Sequence, residues 1–219
     1  MLERRHSIPV WSLSYFMLYM PWFIALENRN PLQCTIVQHQ LDKLIPFCEY
    51  FIIPYLLWFF YVGAGLFYLM FTLPRKSYYR VCGVLFGGLT VCLVLYTFFY
   101  TGLRIRPWID PEKNIFTHLV SLLWAADTST NVCPSIHVYA TLVMHRALDG
   151  RPLMQEHPLL RLGSTVLAVS IILSTMFLKQ HSVIDVVCGF LLFGVMHFAV
   201  YGKLPAAAAQ KRSWQQMGA

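Results

Sequence analysis

The sequence CPSIHVYATLVMHRA, at residues 133–147, sets a proline and a histidine at the head of a short apolar segment. Proline is well tolerated at the first position of a helix, where its missing N–H costs no hydrogen bond. The stretch therefore predicts a helix that begins at Pro134 and carries His137 in its first turn. Charged residues near the end of the segment make deeper burial costly, so this helix is expected to be short.

The composition of the whole chain indicates an integral membrane protein. Of its 219 residues, 57% are hydrophobic and 12% are charged, and the mean hydropathy is +0.54. A helix needs roughly 20 apolar residues to cross a bilayer, so this length has room for about six spans and for no separate soluble domain. We therefore expect an all-α fold with one polytopic membrane domain over residues 1–203, followed by a mobile tail at residues 204–219.

Apolar segments predict a bundle of six transmembrane helices. Their expected bounds are residues 8–26, 50–72, 81–103, 134–147, 162–178 and 182–201. Between the third and fourth spans, apolar residues recur at helical spacing over residues 114–124, which predicts a short interfacial helix along the membrane surface. A helix that only caps the bundle is the alternative. Residues 41–47, in the first connecting loop, are expected to form a shorter interfacial segment.

The distribution of basic residues predicts how the bundle is oriented. Of the 17 Lys and Arg residues, eleven lie on the side of the two termini and six on the other side. Cytoplasmic loops carry the excess of Lys and Arg in membrane proteins. Both termini are therefore expected in the cytoplasm, with His137 and His181 on the extracytoplasmic side of a membrane that we take to be the plasma membrane.

Charge and cysteine patterns narrow the classes of partner. The formal net charge is +7, but the basic residues form no stripe or tract, so we expect no nucleic-acid partner. The six cysteines show no metal-binding spacing, which makes a structural zinc site improbable. Cys34 and Cys48 share one loop and could pair if that loop faces an oxidising compartment; the sequence leaves this open.

A second polar cluster, KQHSVID at residues 179–185, lies between the last two apolar segments. On a helix that begins near Gln180, His181 and Asp185 share one face, so the carboxylate can orient the imidazole ring. A carboxylate inside an apolar span is costly unless it is paired, which points to function. Together with His137, the pair could alternatively form a facial metal triad, although the neighbouring cations disfavour a metal ion.

Groups that bind phosphate accompany the two histidines. The N–H groups of a helix that starts at Pro134 would point outward from a positive helix end, and the Ser135 hydroxyl adds a donor. Arg104, Arg106 and Lys179 would supply fixed positive charge for phosphoryl oxygens. The two clusters therefore predict a membrane-embedded site for phosphoryl chemistry.

In order and spacing, these residues resemble the type 2 phosphatidic acid phosphatase superfamily of six-span lipid phosphatases and related phosphotransferases. The pattern of that family is Lys-x6-Arg-Pro, then Pro-Ser-Gly-His, then Ser-Arg-x5-His-x3-Asp. The chain matches it with Arg106-Pro107, with Pro134-Ser135-Ile136-His137, where isoleucine replaces glycine, and with Ser174, His181 and Asp185.

The resemblance implies a role for each of three residues. His181 would be the nucleophile that forms a phosphohistidine, Asp185 its orienting partner, and His137 the acid that protonates the leaving oxygen. The implied activity is a metal-independent phosphatase without cofactor, acting on a phospholipid or isoprenoid phosphate among membrane lipids and needing no obligate protein partner. The His-Ser-x-x-Asp form is also similar to the sphingolipid-synthase branch, in which a lipid hydroxyl replaces water as acceptor.

Two positions depart from the family pattern. Phe99 stands where the first block has lysine, and Thr175 stands where the third block has arginine. Arg104 and Lys179 are the nearest cations that could replace the missing charges, although lysine lacks the planar fork of arginine. A transporter or a catalytically inactive lipid-binding protein therefore stays open as an alternative.

Overall fold

Helices dominate the computed structural model, which describes residues 10–202. The α-helices are α1 (Tyr15–Glu27), α2 (Ile52–Thr72), α3 (Arg75–Phe98), α4 (Ile115–Ala126), α5 (Ile136–Asp149), α6 (Pro152–Glu156), α7 (Pro158–Phe177) and α8 (Val183–Tyr201). Short 3-10 helices lie at Val10–Ser14, Pro31–Gln33, Gln40–Lys43 and Glu49–Phe51, and the two-residue strands β1 (Thr35–Ile36) and β2 (Thr101–Gly102) pair in parallel. The predicted tail at residues 204–219 and the start of the first predicted span lie outside the described residues.

Within residues 10–202, four helical segments are long and apolar enough to cross a membrane. They are Glu49–Thr72, which is α2 with its preceding 3-10 turn, and the helices α3, α7 and α8. The other two predicted spans correspond to shorter helices, α1 with 13 residues and α5 with 14. At 1.5 Å per residue, a 14-residue helix covers about 21 Å of a hydrocarbon core about 30 Å thick. The chain is therefore mostly helical with four candidate spans, and the count of six stays a prediction.

Two helix starts differ from the predicted bounds because prolines set them. The third predicted span was expected from residue 81, but α3 begins at Arg75, directly after Pro74. The fifth was expected from residue 162, but α7 begins with Pro158 at its first position. Proline fixes the backbone angle needed at a helix start, so both helices extend into polar sequence that the hydropathy pattern had excluded.

Helix α5 lies at the centre of the bundle and packs against α2, α3, α7 and α8. Its side chains Tyr139 and Met144 are fully buried in the main apolar core. They fit because glycines face them: Gly88 of α3 lies under the Tyr139 ring, and Gly65 of α2 lies under the Met144 thioether. A methyl group at either glycine would overlap the opposing side chain, so these close approaches fix where α5 stands.

The connections at one end of the bundle meet each other. Strand β1, which follows α1, pairs with β2, which follows α3. The Ser135 N–H, at the start of α5, donates to the Asp185 carbonyl oxygen in α8, and the Lys179 ammonium, after α7, donates to the Asp42 carbonyl oxygen before α2. Helices α1, α2, α3, α5, α7 and α8 therefore alternate in direction, and both histidine clusters lie at this same end.

Helix α4 covers that end of the bundle. Its Val120 is fully buried in a second apolar cluster with Ile52, Tyr55 and Leu178, and the indole N–H of Trp124 donates to the Leu178 carbonyl oxygen at 3.0 Å. This packing agrees with a helix that caps the bundle, which was the alternative to a purely interfacial helix. Its position relative to a membrane surface stays a prediction.

The first connecting loop folds as a short 3-10 turn. Gln40–Lys43 begins with a capping box in which His39 and Asp42 satisfy each other's backbone groups. The two loop cysteines, Cys34 and Cys48, are free thiols in the structure, so the pairing that the sequence left open is not formed.

The contact between Gly88 and Tyr139 gives a test of the packing around α5. Gly88→Ala would force the buried Tyr139 ring away from α3, where its hydroxyl donates to the Val84 carbonyl oxygen. Overpacking of this kind typically costs about 1–3 kcal/mol, so thermal denaturation of the purified protein in detergent should show a lower unfolding temperature.

The matched control is Gly63→Ala in α2, where nothing lies within 4 Å of the added methyl group. This variant should be neutral or stabilised by up to about 1 kcal/mol, because alanine is the better helix former. Equal unfolding temperatures for the two variants would contradict the packing described for α5.

Candidate active site

The two predicted histidines lie against each other. Nε2 of His181 is 3.4 Å from Nδ1 of His137, and the ring centroids are 5.6 Å apart. His137 is the second residue of α5, whereas His181 lies in the turn between α7 and α8 and is only 7% exposed. The fold thus joins two ring nitrogens from segments 44 residues apart.

The start of α5 differs from the prediction. The helix begins at Ile136 rather than at Pro134, and Ser135 is its N-cap residue. The Ser135 hydroxyl oxygen accepts from the Val138 N–H at 3.4 Å, and the Ser135 N–H donates to the Asp185 carbonyl oxygen at 3.1 Å. The predicted anion site therefore has fewer free donors than expected. Among the described residues, only the Ile136 and His137 N–H groups of that turn are without a hydrogen-bond partner.

The start of α8 also differs from the prediction. The helix was expected to begin near Gln180 but begins at Val183, with Ser182 as N-cap. His181 therefore precedes the helix, and Asp185 closes the capping box by accepting from the Ser182 N–H at 2.8 Å. Serine followed three residues later by an acidic residue is a recognised start signal, which the sequence did contain.

Asp185 is nevertheless placed beside His181. Its Oδ2 lies 3.5 Å from Nδ1 of His181, just beyond an ordinary hydrogen bond. Asp185 is fully buried, and among the described residues neither its Oδ1 nor Nδ1 of His181 has a hydrogen-bond partner. A shift of about half an ångström would join the ring to Oδ2 of the carboxylate and give Nδ1 of His181 its missing partner.

Arg106 is the predicted cation that binds Gln180, the residue before His181. Its guanidinium donates to the carbonyl oxygens of Trp124, at 3.1 Å, and Asp127, at 2.7 Å, and to the side-chain oxygen of Gln180, the neighbour of His181. Burial lowers the pKa of the Arg106 guanidinium, and nearby Asp127 opposes that shift. The Arg106 Nε–H is buried without a hydrogen-bond partner in the described part of the chain, so it is a donor available to an anion.

Asp127 and Tyr55 belong to the same network and carried no sequence-based expectation. The Tyr55 hydroxyl donates to Oδ2 of Asp127 at 2.5 Å, and the Gln180 side-chain N–H donates to the same oxygen at 3.0 Å. The Tyr55 ring lies 4.7 Å from the His137 ring. A lone acidic residue between an apolar helix and the CPSIH stretch was the available signal for Asp127.

A second ring from α2 packs on His137. The Trp58 ring centroid lies 4.4 Å from that of His137, one helical turn from Tyr55. The indole N–H of Trp58 is buried, and no described residue accepts from it. The two aromatic rings restrict how His137 can turn, and the indole adds a further unpaired donor beside it.

Lys179 and Arg104 do not join the histidines. The Lys179 ammonium donates to the carbonyl oxygens of Asp42, at 2.8 Å, and Ile45, both in the first connecting loop. Burial lowers its pKa, with Asp42 acting in the opposite direction. The predicted phosphate-binding role of Lys179 is therefore not supported, since two of its three N–H donors bind carbonyl oxygens of the loop. Arg104 is exposed on the segment between β2 and α4.

The facial-triad alternative lacks the required geometry. His137 faces one nitrogen of the His181 ring and Asp185 faces the other, so the three side chains do not converge on one point. Among residues 10–202, no group of three His, Cys, Asp or Glu side chains is placed to hold a metal ion.

The Arg106 network predicts that lysine cannot replace this arginine. Arg106→Lys would leave at least one of three partly buried acceptors unpaired, because an ammonium cannot reproduce the planar fork. Leaving a buried polar group unpaired costs about 1–3 kcal/mol, which should appear as a lower unfolding temperature in detergent. Arg104→Lys, two residues away and exposed, is the matched control and should unfold like the wild type. A wild-type unfolding temperature for Arg106→Lys would contradict this assignment.

Comparison of the chain with protein-family models, with curated proteins and with solved structures gave no match. The resemblance to the phosphatidic acid phosphatase superfamily therefore stays a prediction drawn from the three motif blocks. The arrangement of the site's own residues is the basis for a functional interpretation.

Proposed function

We propose that the protein is an integral-membrane, metal-independent lipid phosphatase that hydrolyses a lipid phosphate or diphosphate through a phosphohistidine on His181. The observation that carries the proposal is the 3.4 Å separation between Nε2 of His181 and Nδ1 of His137. It provides a nucleophile and a proton donor within reach of one phosphorus atom and its leaving oxygen.

In the first step, Nε2 of His181 attacks the phosphorus atom and forms the P–N bond while the bond to the lipid oxygen breaks. The lipid oxygen takes the bonding electron pair, and His137 gives it a proton so that a neutral alcohol departs. Asp185, 3.5 Å from Nδ1 of His181, stabilises the positive charge that the ring acquires. In the second step, His137 accepts a proton from water, whose oxygen displaces His181 and releases inorganic phosphate.

Substrate binding must open the contact between the two rings. Reacting atoms approach to about 3–3.5 Å before bond formation, and a phosphorus atom cannot fit between nitrogens that are 3.4 Å apart. The phosphoryl group therefore displaces this contact, which brings the leaving oxygen to Nδ1 of His137. Its equatorial oxygens are served by the Nε–H of Arg106 and by the Ile136 and His137 N–H groups, which have no other partner among the described residues.

The proposal includes a six-span topology with both termini in the cytoplasm and the site on the extracytoplasmic face of the plasma membrane. Two observations support the count of six spans. Helix α1 continues without a break from the 3-10 helix Val10–Ser14, which lengthens the first span, and α5 is surrounded by four helices, so its short length leaves no backbone facing lipid. In this topology α4 lies along the outer surface, where it borders a path for a lipid headgroup.

Burial of the site favours a second candidate, a phosphotransferase that passes the phosphoryl or head group to a lipid hydroxyl. His181 is 7% exposed, and two aromatic rings cover His137. Such a site restricts the access of water to a phosphohistidine on His181. Incubation of the purified protein with a labelled phospholipid, with and without ceramide or diacylglycerol, separates the candidates: free phosphate indicates hydrolysis, and a new labelled lipid indicates transfer.

The nucleophile assignment predicts that His181→Ala abolishes phosphate release from every lipid tested, because no phosphohistidine can form. His118→Ala, an exposed histidine on α4, is the control and should retain wild-type turnover. Turnover near the wild-type rate in His181→Ala would contradict the mechanism.

The assignment of His137 as the acid predicts a defect that depends on the leaving group. For a lipid phosphate, His137→Ala should lower kcat by about 10²- to 10⁴-fold while KM changes little. With p-nitrophenyl phosphate, whose leaving group needs no proton, most of the loss in the first step should disappear, measured as the single-turnover burst of p-nitrophenol, whereas His181→Ala should stay inactive on both substrates. An equal loss in the first step on both substrates in His137→Ala would contradict its role as the acid.

A further inference from the structure

Asp42, in the loop between α1 and α2, is a buried carboxylate that the proposed chemistry does not use. It is 3% exposed and accepts three hydrogen bonds. Its Oδ2 accepts from the His39 N–H at 2.6 Å and from the Ser182 hydroxyl at 2.7 Å, and its Oδ1 accepts from the Val183 N–H at 2.9 Å. Two of the three donors belong to the start of α8, directly after His181.

Lys179 reaches into the same loop from the other side of His181. Its ammonium donates to the carbonyl oxygens of Asp42 and Ile45, and the residue is 6% exposed. Its backbone is left-handed, with φ at 58°, which is unfavourable for a residue that has a side chain. The two bonds to the loop therefore hold the turn in a conformation that it would not adopt freely.

The loop thus holds residues 179 and 182–183, and His181 lies between these two attachment points. On its third side, the His181 N–H donates to the Thr175 carbonyl oxygen of α7 at 3.0 Å. The backbone of the turn is thus bound to the first connecting loop on both sides of His181 and to α7 at His181 itself. From this backbone, Nε2 of the imidazole faces His137.

Asp42 also determines how many donors at the start of α8 are left for Asp185 to bind. The first turn of α8 has unpaired N–H groups that attract carboxylates. Asp42 accepts from Val183 and from the Ser182 hydroxyl, so Asp185 needs only one oxygen for the Ser182 N–H. Its Oδ1 is left without a hydrogen-bond partner among the described residues, and its Oδ2, which accepts from the Ser182 N–H, also lies 3.5 Å from Nδ1 of His181.

We propose that Asp42 and Lys179 are positioning residues of the active site: they clamp the turn that carries His181 and keep Asp185 available to its ring. This inference rests on the proposed function for the reaction that it serves. The first connecting loop is accordingly a part of the catalytic assembly, although it supplies no group that touches substrate.

If Asp42 and Lys179 clamp the turn, substitution of either residue should lower kcat and leave substrate binding nearly unchanged. Asp42→Ala frees the start of α8, and a misplaced nucleophile should lower kcat by about 10- to 100-fold, whereas KM should stay within about twofold because the groups that bind phosphate are untouched. Asp42→Asn should be intermediate, because an amide oxygen still accepts one of the bonds.

Lys179→Met should resemble Asp42→Ala, and the double variant should lose little more than either single variant. Lys43→Ala, exposed on the same 3-10 helix, is the matched control and should turn over like the wild type.

A second measurement does not depend on turnover. The rate at which diethyl pyrocarbonate modifies His181, mapped by mass spectrometry, should rise several-fold in Asp42→Ala and in Lys179→Met, and should be unchanged in Lys43→Ala. If Asp42→Ala does not fold, Asp42→Asn and Lys179→Met give the answer in its place. Wild-type kcat together with wild-type modification of His181 in these variants would overturn the clamp.

The two proposals fail in different ways. If His181→Ala retains turnover, the phosphohistidine mechanism fails, and the modification rates still decide whether the loop holds His181. If His181→Ala is inactive while Asp42→Asn and Lys179→Met match the wild type in both measurements, the mechanism stands and only the clamp is wrong.

Discussion

The hydrogen bond from the Ser135 N–H to the Asp185 carbonyl oxygen, 3.1 Å long, joins the start of α5 to the first turn of α8. Because it is a backbone bond, it fixes how far the two helix starts can separate, whatever their side chains do. His137 and His181 project from either side of this junction, and their ring nitrogens meet at 3.4 Å. The site depends on this junction, which ties the two helix starts directly where α5 packs against α8.

Packing in the rest of the bundle determines where this junction lies. Helix α5 is too short for its length to determine where it lies across the bilayer. The close approach of Gly65 and Gly88 to its side chains determines its position instead. Next to His181, the side chains of Arg106, Asp127 and Gln180 are joined in one hydrogen-bond network. Nδ1 of His181, Oδ1 of Asp185 and the Arg106 Nε–H have no hydrogen-bond partner among the described residues. An unpaired buried polar atom is costly, and the Arg106 Nε–H is a donor that the proposed substrate would bind.

Hydropathy and helix signals in the sequence were sufficient for much of the fold. The apolar runs predicted α2 and α8 closely, because those helices consist almost wholly of apolar residues. The start of α3 was missed since Pro74 begins the helix within a polar stretch. Motif spacing predicted His137, His181 and Asp185, which the structure places side by side, and Arg106, which binds the neighbouring Gln180. It could not predict the role of Asp42, because two of its three partners are some 140 residues away. It could not predict the loop contacts of Lys179 either, because no motif records its left-handed backbone.

A covalent phosphoryl group on His181 is the central chemical claim. The most direct test incubates the protein with a lipid carrying a labelled phosphate and stops the reaction in alkali, where phosphohistidine survives. Peptide mapping then locates the label. The account predicts that the label is on His181, that it is absent from His181→Ala, and that unlabelled substrate removes it. Turnover without label on any histidine, or label on a residue other than His181, would contradict it.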